Sequence, residues 1–517
     1  AYVCDFVQQY LTQELGLSQE ELERGGYTIR STLDVPLQRS GDRAVLQTLE
    51  MGQSLAGMFS AVEPGTGHLL ALSTNRVLGF DRSDPEQESF NLFRAASRGA
   101  GSTYKVFTAA AALARGYSTG YTLTTPDPYR SRVFPGACKH GGTMYCVENA
   151  GSYRGTLDLT TALYQSSNTY FLALEDALGS VEEPVRMAQA MGLYQFGQDE
   201  LADVTVEENR PSFTFGPDAT SPLALASAYS TLAASGTRCD VVPVTEILGP
   251  DGEPVLGEDG GPLARDRCTE AAVPPGVANT LNQMLRKDVE PGWGGQTGWR
   301  AHVPGHQIAG KTGTTQENVS VAFVGYTPEI AASVMVLNPR EAEDVGGFGG
   351  GKGATIWHDA MAPVLEARGS SDFPPADPGT EVGDTVAVPW CSGAGSCAAT
   401  LQAAGFQTQV VEVDSDLVRG ALAGTSPSQG GRALPGQVVS VLVSNGSRYT
   451  PPPPLPSPTP SSSAPPSRPP VRPSAPPPPP RPGPSSTPAS SSTPPTSAAP
   501  TTGGSPTLDP ATVRPPG

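Results

Sequence analysis

A serine and a lysine stand three residues apart in the stretch GSTYKVFTAAAALARG, and this spacing can activate a nucleophile. The alanines after Lys105 predict a helix that ends at Gly116, so Ser102 and Lys105 share one face of its first turn. A serine hydroxyl attacks poorly unless a neighbouring base takes its proton. A desolvated lysine can be that base, whereas arginine does not lose its proton in proteins. Lysine is rare here, with five among 33 lysine and arginine residues, and only Lys105 has a serine three residues before it.

Two further polar motifs follow along the chain. Ser166 and Asn168 are two residues apart in LYQSSNTYF, so they face one site only if the chain turns there. Alternate residues of K-T-G-T at 311–314 point to opposite faces of a predicted strand, and the glycine leaves room for a substrate backbone. The ordered set S-x-x-K, S-x-N and K-T-G is typical of acyl transfer by an activated serine.

Other motifs do not indicate a second chemistry. G-x-S-x-G at 116–120 matches a nucleophile elbow, but that elbow needs a preceding strand, and here the alanine helix comes first. GGFGGGKG at 346–353 lacks the serine or threonine of a phosphate-binding loop and follows acidic residues, so we interpret it as a loop closing the site. We interpret the five histidines as structural, and we expect neither a metal nor a cofactor.

The elements around these motifs predict an α/β (α+β) fold in which an antiparallel sheet is covered by helices. MFSAVEP and HLLALS predict a hairpin from Met58, and 319–338 predicts two more strands around a turn. Helical spacing is found over 5–24, 105–115 and 222–234. Strands at both ends with helices between them argue against a repeating βαβ chain.

The C-terminal part divides by composition. SDFPPADPGTEVGD predicts a linker within 367–385, and CAATLQAAG, QTQVVEV and QVVSVLVSN predict a helix and two strands in a small unit over 386–446. Residues 451–517 hold 27 of the 54 prolines, mixed with serine, threonine and alanine. Such a segment buries too little apolar surface to fold, so we predict a disordered tail over 447–517.

Charge and hydropathy restrict the partners. Residues 1–450 contain 29 basic and 50 acidic residues, a net charge of about −21, which is opposite to what nucleic-acid binding needs. The sequence contains no run of 18 apolar residues, the length that a membrane-spanning helix needs. The chain begins without methionine or a signal-peptide pattern, and we expect that an upstream part has been removed.

The seven cysteines favour an oxidising, extracytoplasmic setting. None has the spacing of a zinc site, and six lie in pairs within short loop-like stretches. The candidate disulfides are Cys138 with Cys146, Cys239 with Cys268, and Cys391 with Cys397, which leaves Cys4 over. The alternative is seven free, buried thiols.

The three motifs together resemble the transpeptidase domain of class A, bifunctional penicillin-binding proteins of the actinobacterial type. The resemblance includes STLDVPLQ, AVEPGTGHLLAL, SPLALASAYSTLAASG, AGKTGTTQENVSVAFVGYTPEI and IWHDAM. It implies a linker or pedestal over 1–57, a transpeptidase domain with an all-helical subdomain over 58–366, and a missing upstream glycosyltransferase domain and membrane anchor. VPWCSG, LQAAGF and SPSQGGRALPGQVVSVLVSNG resemble a single PASTA domain, a module associated with cell-wall and β-lactam-like ligands.

The resemblance implies a role for each motif residue. Ser102 would be the acylated nucleophile and Lys105 its proton acceptor. Ser166 and Asn168 would relay a proton to the leaving group and hold the substrate peptide, with Lys311 beside Ser166. The implied substrate-binding residues are Thr312, Gly313, Thr314 and Thr315, and the implied oxyanion hole consists of the backbone N–H groups of Ser102 and Thr314.

The implied activity is a serine D,D-transpeptidase that cross-links peptidoglycan stem peptides ending in D-Ala-D-Ala and is acylated by β-lactams, at the outer side of the cell membrane or in the wall. One alternative is a D,D-carboxypeptidase or β-lactamase, which uses water. The β-lactamase motif E-x-x-L-N has Ala278 in place of its glutamate before Leu281-Asn282, which weakens that alternative. Another is a non-catalytic β-lactam or wall-binding sensor, although a binder needs no activated nucleophile.

Overall fold

The structure is a computed structural model that describes residues 2–81, 83–94 and 97–450, so nearly all of the predicted tail lies outside the described residues. The helices are α1 (Tyr2–Gln9), α2 (Gln19–Arg24), α3 (Val35–Thr48), α4 (Lys105–Ala114), α5 (Leu159–Tyr164), α6 (Asn168–Leu178), α7 (Glu182–Met191), α8 (Asp199–Glu207), α9 (Pro222–Ala233), α10 (Pro275–Val289), α11 (Lys352–Ala367), α12 (Pro378–Val382) and α13 (Ala394–Ala403).

The strands are β1 (Thr28–Ser31), β2 (Ala56–Val62), β3 (Leu69–Thr74), β4 (Val77–Leu78), β5 (Gln87–Glu88), β6 (Thr122–Thr124), β7 (Tyr129–Pro135), β8 (Met144–Val147), β9 (Thr156–Asp158), β10 (Arg238–Cys239), β11 (Val244–Leu248), β12 (Cys268–Thr269), β13 (Ala309–Thr314), β14 (Ser320–Tyr326), β15 (Ala331–Leu337), β16 (Val386–Ala387), β17 (Gln407–Val413), β18 (Leu422–Ser426), β19 (Arg432–Ala433) and β20 (Val438–Ser444).

A five-stranded sheet in the order β13-β14-β15-β2-β3 is the centre of the fold, and all of its pairs are antiparallel. The predicted hairpins are β2–β3 and β14–β15, and both are confirmed. Alternation along the strands sends side chains to two apolar cores on opposite faces. The sheet covered by helices that the sequence predicts is therefore the observed fold.

One face of the sheet is covered by α3 and α11. Trp357 of α11 packs edge to face on Phe323 of β14, with 5.8 Å between ring centroids. The opposite face is covered by α9 and α10, and Tyr229 of α9 packs on Tyr326 at 5.9 Å. This second face continues into the helices α4 to α9. The predicted subdomain is not all-helical, because the pairs β6–β9 and β7–β8 lie between α4 and α5 and contact α6.

Helix α4 is buried along nearly its whole length, from Lys105 to Leu113. Its alanines let α6, α7 and α10 approach closely on several sides. A helix held from so many directions positions its first turn rigidly, and this first turn follows Ser102.

The C-terminal unit consists of α13 and a three-stranded sheet in the order β17-β20-β18. Its strand β20 is parallel to β17 and antiparallel to β18. The unit lies against β6 and β7: Gln437 Nε2 donates to the Tyr121 hydroxyl at 2.5 Å, and the backbone N–H of Ser428 donates to the carbonyl of Thr122 at 3.2 Å. Its apolar residues belong to the same core as α4 and α6. A separate domain beginning at 386 therefore stays a prediction.

Three local features differ from the sequence predictions. The helical spacing over 5–24 is interrupted, because α1 ends in a π-helical turn, Gly16 has a φ of 73° and Ser18 caps a new helix. Strand β18 was missed because its glycine and threonine are weak strand signals. The predicted linker contains α12 and lies against α10, where the backbone N–H of Asp377 donates to Thr280 Oγ1 at 3.1 Å.

Six of the seven cysteines form disulfides in the structure, and Cys4 is exposed and free. The pairs are Cys138–Cys146, Cys239–Cys268 and Cys391–Cys397. In the described part of the chain no helix is both long and apolar enough to cross a membrane.

Candidate active site

Ser102 lies directly before α4 and beside the edge strand β13. A 3-10 turn over Gly101–Tyr104 leads into the helix, and the backbone N–H of Lys105 donates to the carbonyl of Ser102. Gly101 has a φ of 60°, and a Cβ atom there would lie 2.5 Å from the backbone nitrogen of Thr314. A glycine is therefore needed for the turn to approach β13 this closely. The same approach brings together the two segments of the predicted oxyanion hole.

The amino group of Lys105 is the point where two of the three motifs meet. Its Nζ lies 3.0 Å from Ser102 Oγ. It donates to the backbone carbonyl of Ser166 at 2.7 Å and to Asn168 Oδ1 at 2.7 Å, and it lies 3.3 Å from Ser166 Oγ. The structure thus brings three other predicted site residues, Ser102, Ser166 and Asn168, within hydrogen-bond distance of the Lys105 nitrogen.

The hydrogen bonds of Lys105 can be compared with the protons that its neutral amine carries. The oxygens of Ser166 and Asn168 that face the amine are carbonyl oxygens and can only accept, so two N–H bonds are committed to them. A neutral amine then has its lone pair left for the hydroxyl of Ser102. Burial, and to a smaller extent the charge of Lys311, hold the pKa of Lys105 well below its usual range. The hydrogen bonds thus accommodate a neutral amine, and the lowered pKa favours Lys105 as the acceptor of the serine proton.

Ser166 occupies the turn between α5 and α6, so the condition for Ser166 and Asn168 to face one site is met. It has a φ of 62°, in the left-handed region that residues other than glycine seldom adopt. Ser167 then caps α6, because its side chain accepts from the N–H of Tyr170. The turn lets Ser166 and Asn168 face Lys105 together.

The segment after β8 fixes Asn168 from the other side. The carbonyl of Glu148 accepts from Asn168 Nδ2 at 2.7 Å, so Oδ1 is the atom that faces Lys105. Asn149 Oδ1 accepts from the backbone N–H groups of Asn168 at 2.7 Å and Thr169 at 3.2 Å. These are the first two N–H groups of α6, which have no partner within the helix.

The β7–β8 hairpin that leads to this segment is closed by a disulfide. Cys138 lies in the hairpin loop and Cys146 lies on β8, one residue before Val147. The cross-link limits how far the end of β8 can move. It therefore stabilises the part of the chain that holds Asn168.

The K-T-G-T motif lies on β13, the edge strand of the sheet. A Cβ atom on Gly313 would lie 2.0 Å from the carbonyl oxygen of Ala100. The sequence interpretation gave the space beside this glycine to a substrate backbone, whereas in the structure the backbone before Ser102 occupies it. The glycine therefore brings the nucleophile's segment against the edge strand.

Lys311 is buried, and its Nζ donates to the carbonyl of Thr312 at 3.1 Å. The family resemblance implies that Lys311 lies beside Ser166, and this stays a prediction. The hydrogen bond that the structure gives Lys311 is local, and its charge acts on Lys105. Burial lowers the pKa of Lys311 to about 8, and the carboxylate of Asp288 opposes this shift. Lys311 can thus carry a positive charge at neutral pH, and this charge contributes to the lowered pKa of Lys105.

The remaining threonines of the motif differ in what their hydroxyls can do. Thr314 Oγ1 accepts from the N–H of Gly349 at 3.1 Å, so its own proton is left for a ligand. Thr315 Oγ1 donates to the carbonyl of Ser320 at 3.1 Å and accepts from its N–H at 2.9 Å. Thr315 is therefore engaged in the turn that leads to β14. The glycine loop at 346–353 lies against β13 at this point.

Two motifs that the sequence analysis set aside lie away from this chemistry. Ser118 of G-x-S-x-G is buried after α4 and before β6, which is not the strand-to-helix context of an elbow. Asn282 of the L-N pair is buried in α10, where it donates to the carbonyl of Leu232 and accepts from the Tyr326 hydroxyl. Its role is to connect helix and sheet.

Sequence reasoning missed three residues that support the site. Asn149 holds the start of α6, and Asp288 and Thr297 lie behind β13. Asn149 makes its contact through a loop, where spacing along the chain gives no signal, and Thr297 lies in the loop after α10.

Residues 57–362 match the family described as the penicillin binding protein transpeptidase domain. This match covers more than half of the chain, and the chain therefore belongs to that family.

Three curated relatives are informative. The chain is 28% identical over 318 residues to penicillin-binding protein 1A of Neisseria lactamica, covering 61% of this chain and 36% of the relative. It is 25% identical over 377 residues to penicillin-binding protein 2D of Bacillus subtilis, covering 72% and 50%. It is 25% identical over 406 residues to penicillin-binding protein 1A of Mycobacterium tuberculosis, covering 74% and 45%. The chain thus spans half or less of the length of these relatives.

Solved structures show the same fold. The penicillin-binding protein PonA1 from Mycobacterium tuberculosis superposes with a TM-score of 0.60 at 24% identity, covering 76% of this chain and 97% of that one. The PonA1 structure in complex with penicillin V gives a TM-score of 0.59 at 24% identity, covering 74% and 97%.

Proposed function

We propose that this chain is the transpeptidase part of a serine D,D-transpeptidase that cross-links peptidoglycan stem peptides and is acylated by β-lactams. The observation that carries the proposal is the buried amine of Lys105, 3.0 Å from Ser102 Oγ, with two carbonyl oxygens occupying its N–H bonds. An arrangement that only bound a ligand would not need a buried lysine of lowered pKa beside a serine.

In the proposed first step, Ser102 Oγ attacks the carbonyl of the penultimate D-Ala while its proton passes to Lys105 Nζ. The peptide bond breaks, the terminal D-Ala leaves as an amine that takes a proton through Ser166, and an ester forms on Ser102. The N–H groups of Ser102 and Thr314 would stabilise the oxyanion.

In the second step, the amine of another stem peptide attacks the ester, and a new peptide bond replaces it. The leaving proton returns to Ser102, so the enzyme is regenerated. A β-lactam would enter the first step with its ring amide as the scissile bond, and the ester would then persist.

Binding of the substrate's terminal carboxylate is proposed for the β13 side of the site. Lys311 supplies a positive charge, and Thr314 has a hydroxyl proton that no described contact uses. Asn168 would hold the substrate peptide through its amide. Thr312 and Gly313 would complete this side of the cleft.

The proposal also covers the location of the enzyme and its further domains. We place the enzyme outside the cytoplasm, because disulfides persist in oxidising compartments and the curated relatives are penicillin-binding proteins of bacteria. An upstream glycosyltransferase domain with a membrane anchor would make the protein bifunctional. Residues 386–446 would be a PASTA-like unit that contacts the wall.

Hydrolysis is the competing outcome for the ester. The hydrogen-bond partners described for Ser102 Oγ and Lys105 Nζ include no Asp or Glu carboxylate that could activate water as in a β-lactamase. We therefore expect a long-lived ester with penicillin, not rapid turnover.

Mass spectrometry after incubation with a labelled penicillin tests the proposal. One adduct is expected, on the peptide that contains Ser102, and Ser102→Ala should abolish it. Ser118→Ala is the matched control and should keep the adduct. A stable adduct on another serine, or none on the folded parent protein, would contradict the proposal. Adding a D-Ala-D-Ala stem peptide with an acceptor amine then separates a cross-linked product from a hydrolysed one.

A further inference from the structure

A chain of three side chains leads from a buried carboxyl group in α10 to the edge strand. Asp288 is fully buried and accepts from the backbone N–H groups of Thr297 at 2.6 Å and Gly298 at 3.0 Å. Thr297 Oγ1 lies 2.8 Å from Asp288 Oδ1 and 3.0 Å from Oδ2. The same Oγ1 lies 2.5 Å from Thr312 Oγ1, in the K-T-G-T motif.

The number of protons shared by Asp288, Thr297 and Thr312 fixes the direction in which their hydrogen bonds point. Two hydroxyl oxygens at 2.5 Å need one proton between them, and each hydroxyl has only one. If Asp288 is ionised it can only accept, so the Thr297 proton points to it and the Thr312 proton points to Thr297. If Asp288 is protonated it donates to Thr297, Thr297 donates to Thr312, and the Thr312 proton is left for a ligand of the proposed carboxylate site.

We infer that Asp288 is a positioning residue that decides, through Thr297, whether Thr312 offers the cleft a hydrogen-bond donor or only an acceptor. A carboxylate ligand needs a donor, so binding of such a ligand at Thr312 is coupled to uptake of one proton by Asp288. The inference rests on the proposed function, because it concerns the site proposed for the substrate carboxylate.

The surroundings of Asp288 allow both states. Lys311 faces it from β13 and lowers its pKa, as do the donors of Thr297 and Gly298, whereas burial has the larger effect and raises it. Tyr229 of α9 is the other titratable group coupled to it, and burial raises the pKa of that phenol, so it stays neutral. The pKa of the Asp288 carboxyl group is thus raised by burial and lowered by Lys311 and the donors of Thr297 and Gly298.

Asparagine at 288 would imitate the protonated state. Its amide oxygen can accept from the two backbone N–H groups as Oδ1 does, while its NH₂ group, in the place of Oδ2, donates to Thr297. Asp288→Asn therefore keeps the shape and the acceptor but fixes the chain in the direction that leaves Thr312 a donor.

The test compares acylation rate constants for benzylpenicillin and its methyl ester, which differ in the carboxylate. The ratio of the two cancels effects on Ser102 and Lys105 that are common to both compounds. Measured below the Lys311 pKa of about 8, the ratio for the parent protein should fall as pH rises, by about 10-fold, the worth of one hydrogen bond to a charged group. In Asp288→Asn it should stay at its low-pH value.

Thr312→Val is the control that separates a positioning role of Asp288 from a purely structural one. Without the hydroxyl, the pH dependence of the ratio should disappear, and adding Asp288→Asn should change the ratio less than about 2-fold. A flat ratio in the parent, a ratio in Asp288→Asn that follows the parent, or additive effects in the double variant would overturn the inference. If neither compound acylates the parent, the proposed function fails instead.

Discussion

Asn149 Oδ1 accepts a hydrogen bond from the backbone N–H of Asn168 at 2.7 Å, across a gap of 19 residues in the chain. A second bond, from the N–H of Thr169, makes Asn149 a cap for α6 supplied from outside the helix. The helix start that contacts Lys105 therefore depends on a residue outside every motif.

Asn149→Ala should lower the free energy of unfolding by about 1 kcal/mol, the usual effect of losing a helix cap. It should also lower penicillin acylation by at least about 10-fold, because a displaced Asn168 no longer orients Lys105. Asn149→Asp keeps an acceptor oxygen and is the control. Equal acylation in the alanine variant and the parent would show that the cap is not needed for the site.

Lys105→Arg should leave the fold intact and lower acylation by at least about 100-fold, since arginine cannot accept the Ser102 proton. Lys139→Arg, at an exposed lysine paired with Glu148, is the matched control and should acylate like the parent. Stopped-flow acylation with circular dichroism on both variants makes the comparison. A near-parent rate in Lys105→Arg would exclude the lysine as base.

The acylation rate should depend on pH with two limbs. Because the pKa of Lys105 is lowered, the rate should rise with pH as this amine loses its proton, and the rise should lie far below pH 10.5. The rate should fall again above about pH 8, where Lys311 loses its charge. Lys311→Ala removes a positive charge near Lys105, so it should move the rising limb to higher pH. A rising limb that stays in place would contradict the coupling of the two lysines.

Ending the chain after residue 370 should lower the melting temperature but leave acylation of the folded protein unchanged. The truncation exposes apolar residues of the shared core and breaks the contact between Gln437 and Tyr121, while the site residues lie between 102 and 315. We expect a loss of at least about 2 kcal/mol in the free energy of unfolding. A chain ended after residue 450 keeps these contacts and is the control. Scanning calorimetry and acylation by labelled penicillin check the two parts separately.

The chemistry was predictable where it is local in the sequence. The serine and lysine of S-x-x-K are one helical turn apart, so their spacing already fixes their contact. The rule that residues two apart on a helix face different ways showed that Ser166 and Asn168 need a turn to face one site, but the sequence did not predict that turn. The sheet followed from alternating apolar residues in its two hairpins.

The supporting residues were not predictable in the same way. Asn149 reaches α6 through a loop, and no periodicity marks it. Asp288 did leave a signal, because it continues the buried positions Leu281 and Leu285 of α10 at helical spacing. A carboxylate on an apolar helix face indicates a buried partner, although only the folded structure shows that this partner is Thr297.

The pairing of β2 with β15 affects the rate and the order in which the sheet folds. Val62 lies opposite Ala331 and Ala56 opposite Leu337, so the centre of the sheet joins segments about 270 residues apart. Such long-range pairing closes a large loop and slows folding. Until β15 is available, β2 and β3 have an unpaired edge, which is the state most exposed to aggregation. The edge strand with Lys311 reaches β2 only through β14 and β15, so a competent nucleophile should appear late in folding, and recovery of penicillin acylation during refolding should report completion of the sheet.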